Sequence, residues 1–323
     1  MKLSLSAFCS ATEQRSFIRM VIEKYQVPHL HREFVKIAIL LFTILSQHLP
    51  SIASLGTDGF YAELDDGIQI VYQIPNNATN LAGVLIVAHG CSHSATDWWR
   101  KSNTCPTCIG LPLEQSIVKM AVQKNMAVMA ISSIDRVNKC WVYKHDRMRV
   151  IKAIRYIYTK VPSSQEGRKL PLYLFGVSSG GSFVGTFAQD AKSAHLQVSA
   201  ICVQVMFVRI HRESAAMVPT IFVHMPLDAQ TAQMISNVVL QMNQRSPNSA
   251  VEMRCEKKEL TSTYFFEHNA ALNREDSAKF VLALASAGYL SINNTLIRDP
   301  RGTEWREVSI SVYQIEPKYS TLA

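Results

Sequence analysis

No stretch of the 323 residues is long and apolar enough to cross a bilayer. A spanning helix needs about 20 apolar residues, whereas the longest run, Ile37–Leu45, has only nine positions. Internal repeats and low-complexity tracts are absent, which excludes solenoid, propeller and fibrous architectures. A G-x-G-x-x-G turn is also missing, so the phosphate cradle of a dinucleotide fold is not there and an oxidoreductase is disfavoured. The single C-x-x-C (Cys105, Cys108) has no second half-site and no thioredoxin-like surroundings, which argues against zinc and dithiol redox chemistry. Basic residues are not interleaved with aromatics, which argues against a nucleic-acid partner. No cofactor and no metal is expected.

What is present is a globular chain, 48% hydrophobic, in which strand and helix patterns alternate. That alternation predicts one α/β domain with a mostly parallel central sheet and helices on both faces. The reading begins with a hairpin, Phe60–Leu64 and Ile68–Ile74 around Asp65-Asp66-Gly67. Strands are expected at 83–88, 127–132, 170–175, 200–208, 219–225 and 251–258, and helices at 113–124, 146–159, 182–189, 229–241 and 275–287. The short link between the strand at 200–208 and the next leaves room for little or no lid. The domain is expected over 54–305, after a targeting segment at 1–53 and before a tail at 306–323.

The sharpest motif is Gly176-Val177-Ser178-Ser179-Gly180, where an apolar strand runs into a helical pattern. In a nucleophile elbow the serine backbone is strained and strand and helix pack tightly, so glycines are needed on both sides. Ser178 is the side chain such a turn exposes. Upstream, the apolar strand Gly83–Ala88 runs into His89-Gly90-Cys91. A glycine turn there lets the backbone approach a developing oxyanion. The N–H groups of Cys91 (or of Ser92) and of Ser179 are the expected donors, with Gly90 giving the clearance. His89 is read as packing and hydrogen-bonding beneath this turn at the edge of the pocket. Trp98 and Trp99 either line the acyl side of the pocket or pack in the core.

Asp228 follows the apolar strand Pro219–Met225 and lies fifty residues after Ser178. It is either the acid of a Ser-Asp-His order or the cap of the helix that follows. His268 is the one histidine after Asp228, expected in the loop after the last strand, either as base or as a surface histidine. His224 is expected to be buried by strand alternation.

Taken together, the H-G-C turn with its polar and aromatic sequel (His89 to Trp99), the G-x-S-x-G elbow and the run His224-Met225-Pro226-Leu227-Asp228 resemble the α/β-hydrolases. Within that superfamily the chain is similar to the esterase/depolymerase-like branch and to hydrolase-like proteins of plants and protists. Those proteins carry the C-x-x-C and the pair Cys140-Trp141 at comparable places. The resemblance covers roughly 60–305. It implies a serine hydrolase of the carboxylesterase type, acting on a small-molecule or polymeric ester through Ser178, His268 and Asp228. The alternative class is a non-catalytic hydrolase-fold binding protein with an incomplete triad, secreted or membrane-tethered.

Ile37–Leu45, preceded by Lys24, Arg32 and Lys36 and followed by Ser51-Ile52-Ala53, suits the core of a signal peptide or an uncleaved membrane anchor. A buried amphipathic helix is the plainer alternative. Cys91, Cys105, Cys108 and Cys140 form an even set able to make two disulfides in an oxidising compartment, their pairing unspecified by spacing. Cys202 and Cys255 are read as buried strand residues. Asn77 and Asn293 stand in glycosylation sequons. The net charge of +8 is partly local: ten Lys/Arg lie between Arg136 and Lys169 against Asp146 and Glu166. A solvated helix face accounts for it, with an anionic surface as the alternative.

Overall fold

The structure is a computed structural model that describes residues 58–76, 81–161, 170–210, 217–268, 272–305 and 307. The expected targeting segment, the sequon at Asn77 and all but one residue of the expected tail lie outside the described residues. Among those described, eight strands form one sheet: β1 (Phe60–Leu64), β2 (Ile68–Gln73), β3 (Gly83–Ala88), β4 (Met126–Ile131), β5 (Leu172–Val177), β6 (Val198–Gln204), β7 (Thr220–His224) and β8 (Ala250–Arg254). Their spatial order is β1-β2-β4-β3-β5-β6-β7-β8. The hairpin β1–β2 and the β2–β4 pair are antiparallel, while β4, β3, β5, β6 and β7 run parallel. The helices are α1 (Pro112–Gln123), α2 (Tyr143–Lys160), α3 (Ser179–Asp190), α4 (Ala229–Arg245), α5 (Tyr264–His268) and α6 (Arg274–Ser286).

All six residues of β3 and of β4 are buried, so both faces of the sheet centre are covered. On one face Ile86, Met129 and Leu174 join a core with Val150, Ile154 and Ile157 of α2 and Phe183, Val184 and Phe187 of α3. On the other face Phe175 meets the edge of Trp98, with ring centres 5.8 Å apart. α1 packs against β4 and turns Ile117, Val118 and Ala121 inward. Among the described residues no helical insertion separates β6 from β7.

Two expected elements shift for physical reasons. β6 stops at Gln204 because Val205 takes φ 48°, which no ladder accommodates. The apolar residues beyond it serve packing instead: Val208 fills the space over Gly185 of α3. His268 ends the short helix α5 and does not lie in a loop.

The described residues divide into two compact units, one comprising 58–224 and 230–253, the other 225–229 and the residues from 254 onward. The first holds the sheet and its flanking helices. The second has its own apolar centre, with Phe265 of α5 lying 5.5 Å from Phe280 of α6 between ring centres. Asn273 caps α6 by accepting the Asp276 N–H at 2.7 Å, and Glu275 and Asp276 occupy its first turn, where the helix dipole favours acid.

Candidate active site

β3 leads to β4 on one side and, after a crossover, β5 lies on its other side. The strand order therefore reverses between β3 and β5, and ligands of open α/β sheets bind beyond the strand ends at such a switch point. Ala88 pairs with Gly176 at this place, so the chain leaving β3 and the chain leaving β5 emerge side by side.

Ser178 stands between β5 and α3 at φ 51°, ψ −118°, a left-handed conformation that non-glycine residues adopt only under constraint. The constraint is visible around it. Its N–H donates to the Gln204 carbonyl at 2.9 Å, and its own carbonyl accepts from the Ser182 N–H at 3.0 Å. A Cβ on Gly176 would stand 2.3 Å from the Gly180 oxygen, and one on Gly180 would stand 2.4 Å from the Ala88 oxygen. Neither position can hold any other residue without moving backbone. Ser178 itself is half-buried.

Opposite lies the His89-Gly90-Cys91 turn. A Cβ on Gly90 would be 3.6 Å from the Cβ of Ser178. His89 is 2% exposed. The Ser133 N–H donates to its Nε2 at 3.1 Å, which makes Nδ1 the protonated nitrogen and the donor to the Gly90 carbonyl at 2.7 Å. The Gly90–Cys91 peptide is planar and trans. Fixing its carbonyl on His89 therefore aims the Cys91 N–H the opposite way. Among the described residues no backbone carbonyl accepts from the N–H of Cys91 or of Ser179. The Ser92 N–H, the other expected donor, is engaged with the Asn138 carbonyl at 2.8 Å and drops out.

The loop carrying Asn138 is tied to this turn. Cys91 is disulfide-bonded to Cys140, and Cys105 to Cys108, which settles the pairing that spacing left open. Trp141 donates from Nε1 to the His89 carbonyl at 2.9 Å. The loop's two ends are drawn together by the buried carboxylate of Asp146, which accepts from the N–H groups of Ile134 (2.7 Å) and Val142 (2.9 Å). Burial raises the Asp146 pKa, and these two bonds oppose that rise.

The other side chains singled out in the sequence lie outside the elbow and its facing turn. Trp98 and Trp99 are 1% and 2% exposed, so they belong to the core and do not line a pocket; Trp99 Nε1 donates to Gln73 at 3.0 Å. His89 lies buried under the turn. His224 is fully buried, with Nε2 on Glu252 at 2.8 Å. Cys202 lies buried on β6 as a free thiol. Cys255 lies buried just past β8. In the second unit, Asp228 follows β7 in a turn closed by its N–H to the Met225 carbonyl (3.1 Å), and Arg301 contacts its Oδ2 at 2.5 Å. Asn293 stands exposed in a turn.

His93, the histidine that could be recruited as base in place of His268, is paired with Asp97, a partner the sequence reading did not foresee. His93 Nδ1 lies 2.6 Å from Asp97 Oδ2, four residues on and 5% exposed. The signal was the spacing H-x-x-x-D directly behind the H-G-C turn. Among the described residues no cluster of His, Cys, Asp or Glu is arranged to hold a metal ion, and no helix is long and apolar enough to cross a membrane.

Strand order, switch point and elbow together make this an α/β-hydrolase fold. No protein-family model and no curated protein matches the chain. Among solved structures it is similar to a thermostable esterase at 16% identity and TM-score 0.42, over 62% of this chain and 55% of that one. An arylesterase matches at 11% identity and TM-score 0.41, over 76% and 89%. An acetyl xylan esterase from Aspergillus awamori matches at 12% and 0.41, over 57% and 77%. The match to the first of these spans little more than half its length.

Burial lowers the pKa of His89 from 6.5 to about 4. The unfolded chain therefore takes up this proton first as pH falls. The stability it contributes is complete above about pH 6.5 and is lost toward pH 4, by about 3 kcal/mol at most. Urea midpoints measured across that range should fall more steeply for the wild type than for His89→Gln. Equal slopes would show that the imidazole is not held neutral.

Proposed function

We propose that the protein is a serine hydrolase of carboxylic esters, with Ser178 as nucleophile and the N–H groups of Cys91 and Ser179 as oxyanion donors. The observation that carries this reading is the left-handed Ser178 backbone between β5 and α3, facing the Gly90 turn at van der Waals distance. A tetrahedral adduct on Ser178 would place negative charge beside the first turn of α3, where unpaired N–H groups and the helix dipole favour it. The base and acid rest on chain order: Asp228 just past β7 and His268 past β8 complete the sequence Ser, Asp, His. In that assignment His268 takes the Ser178 proton as the hydroxyl attacks and returns it to the leaving alcohol, while Asp228 orients the ring.

The rival is a hydrolase fold that binds without cleaving, and it draws on the Arg301 guanidinium at Asp228. A fluorophosphonate probe separates the two readings. It should label the protein once, Ser178→Ala should abolish labelling, and His268→Asn should lower kcat by about 10²–10⁴-fold while the protein stays folded. A folded protein that never labels favours the binding protein. We also propose entry to the secretory pathway, on the apolar run Ile37–Leu45 and the two disulfides Cys91–Cys140 and Cys105–Cys108. Expressed in a secretory host, the product should be shortened near Ala53 and carry a glycan on Asn77 or Asn293; a full-length, unmodified product contradicts this.

A further inference from the structure

Exposed apolar side chains are ordinary when scattered and informative when they gather. Among the described residues eleven large apolar side chains are exposed, and four of them fall within 134–148: Ile134 (43%), Val137 (87%), Val142 (44%) and Met148 (53%). The fold gathers them on one loop and the helix it enters. The Ile134 and Val142 N–H groups bond to the two oxygens of the same Asp146 carboxylate, so these residues stand side by side at the neck. Val137 stands in a turn closed by the Asp135 carboxylate, which accepts the N–H groups of Val137 at 2.8 Å and Asn138 at 3.0 Å. Met148 follows Lys144 by one helical turn on the solvent face of α2.

The same stretch is cationic. Between Ile134 and Arg155 seven Lys and Arg stand against two acids, Asp135 and Asp146. Both acids are turned inward, to the backbone N–H groups of the loop itself. Arg149 and Lys152 face the β1–β2 hairpin, on the carbonyls of Asp66 and Gly67 and on the Asp66 carboxylate. The apolar group keeps cations of its own. Arg136 is exposed beside Val137, Lys139 is half-buried two residues after it, and Lys144 is exposed two residues after Val142.

Apolar tips flanked by cations fit an anionic bilayer. The tips enter the boundary between headgroups and acyl chains, while Lys and Arg meet the lipid phosphates. An acidic glycan would use the cations but leave Val137 and its neighbours in water. We propose that the 134–148 surface docks the protein on an anionic lipid bilayer, lying on it without spanning it. The surface belongs to the first unit and is joined to the Gly90 turn by the Cys91–Cys140 disulfide and by the Ser92 N–H on the Asn138 carbonyl. Docked lipid is thereby set next to the elbow. The inference goes beyond the hydrolase reading and does not rest on it, because docking needs neither Ser178 nor a triad.

The test is co-sedimentation of the full chain with vesicles of phosphatidylcholine alone and of phosphatidylcholine with phosphatidylglycerol. The wild type should partition more strongly onto the anionic vesicles, and less so as salt rises. Lys139→Gln combined with Lys144→Gln should lower that partition about 25-fold, at about fivefold per cation. Val137→Ser should lower it about tenfold with the thermal midpoint unchanged, since the side chain packs against almost nothing. Ile37–Leu45 is intact in every variant, so binding through that run would not respond to these substitutions. In Val137→Trp, lipids brominated on the acyl chain should quench the fluorescence beyond the wild-type level. A wild type that binds neither vesicle or both equally overturns the inference, as do variants that bind like the wild type or a Val137→Trp protein with no added quenching. Loss on the lysine substitutions alone, with retention on heparin, overturns it in favour of a soluble polyanion.

Discussion

The candidate site depends on one close backbone approach. Gly180 at the start of α3 lies against the Ala88 and His89 carbonyls at the end of β3, and Gly176 lies against Gly180. With no side chains between them, the first turn of α3 can sit beside the end of β3 and force Ser178 into a left-handed conformation. Everything chemical follows from that geometry. Ser178 is lifted to the mouth of the switch point, the Ser179 N–H is left outside the helix ladder, and the Gly90 turn faces the serine.

A second layer holds the Gly90 turn. His89 supports it from below through the Gly90 carbonyl, and Cys140 ties it sideways to the 134–142 loop. Asp146 closes the neck of that loop through two buried N–H groups. A buried acceptor serving two donors is hard to replace, because its loss leaves both donors unsatisfied at about 1–3 kcal/mol each. The turn is thus fixed by a neutral histidine, a covalent bond and a buried carboxylate. In the proposed hydrolase such a turn would not need to reorganise as charge develops.

Much of this was legible in the chain. β3 and β4 are buried on both faces and so read as continuous apolar runs, and the hairpin announced itself through Asp-Gly; Asp66 and Gly67 are indeed left-handed at φ 63° and 64°. The fold class followed from alternation alone. Where the sequence misled, packing had taken over from periodicity. Val205–Val208 resembles strand but turns away at Val205 to cover Gly185. Trp98 and Trp99 follow a glycine turn, as pocket residues often do, yet Trp98 meets Phe175 on the buried face of the sheet. Asp146 does lie in the expected helix, but nothing in a linear pattern shows that its side chain reaches back to the Ile134 N–H. His93 and Asp97 stood in plain view, but their pairing needed the tight turn between them to be seen.

The account stands or falls on whether Ser178 carries the acyl group during turnover. Mixing the protein with p-nitrophenyl acetate, quenching in acid within the first turnover and mapping the peptides by mass spectrometry measures this directly. The account predicts an acetyl group on the Ser178 hydroxyl, formed as p-nitrophenol is released and lost as water completes the cycle. Release of p-nitrophenol with the acetyl on any other side chain would contradict it.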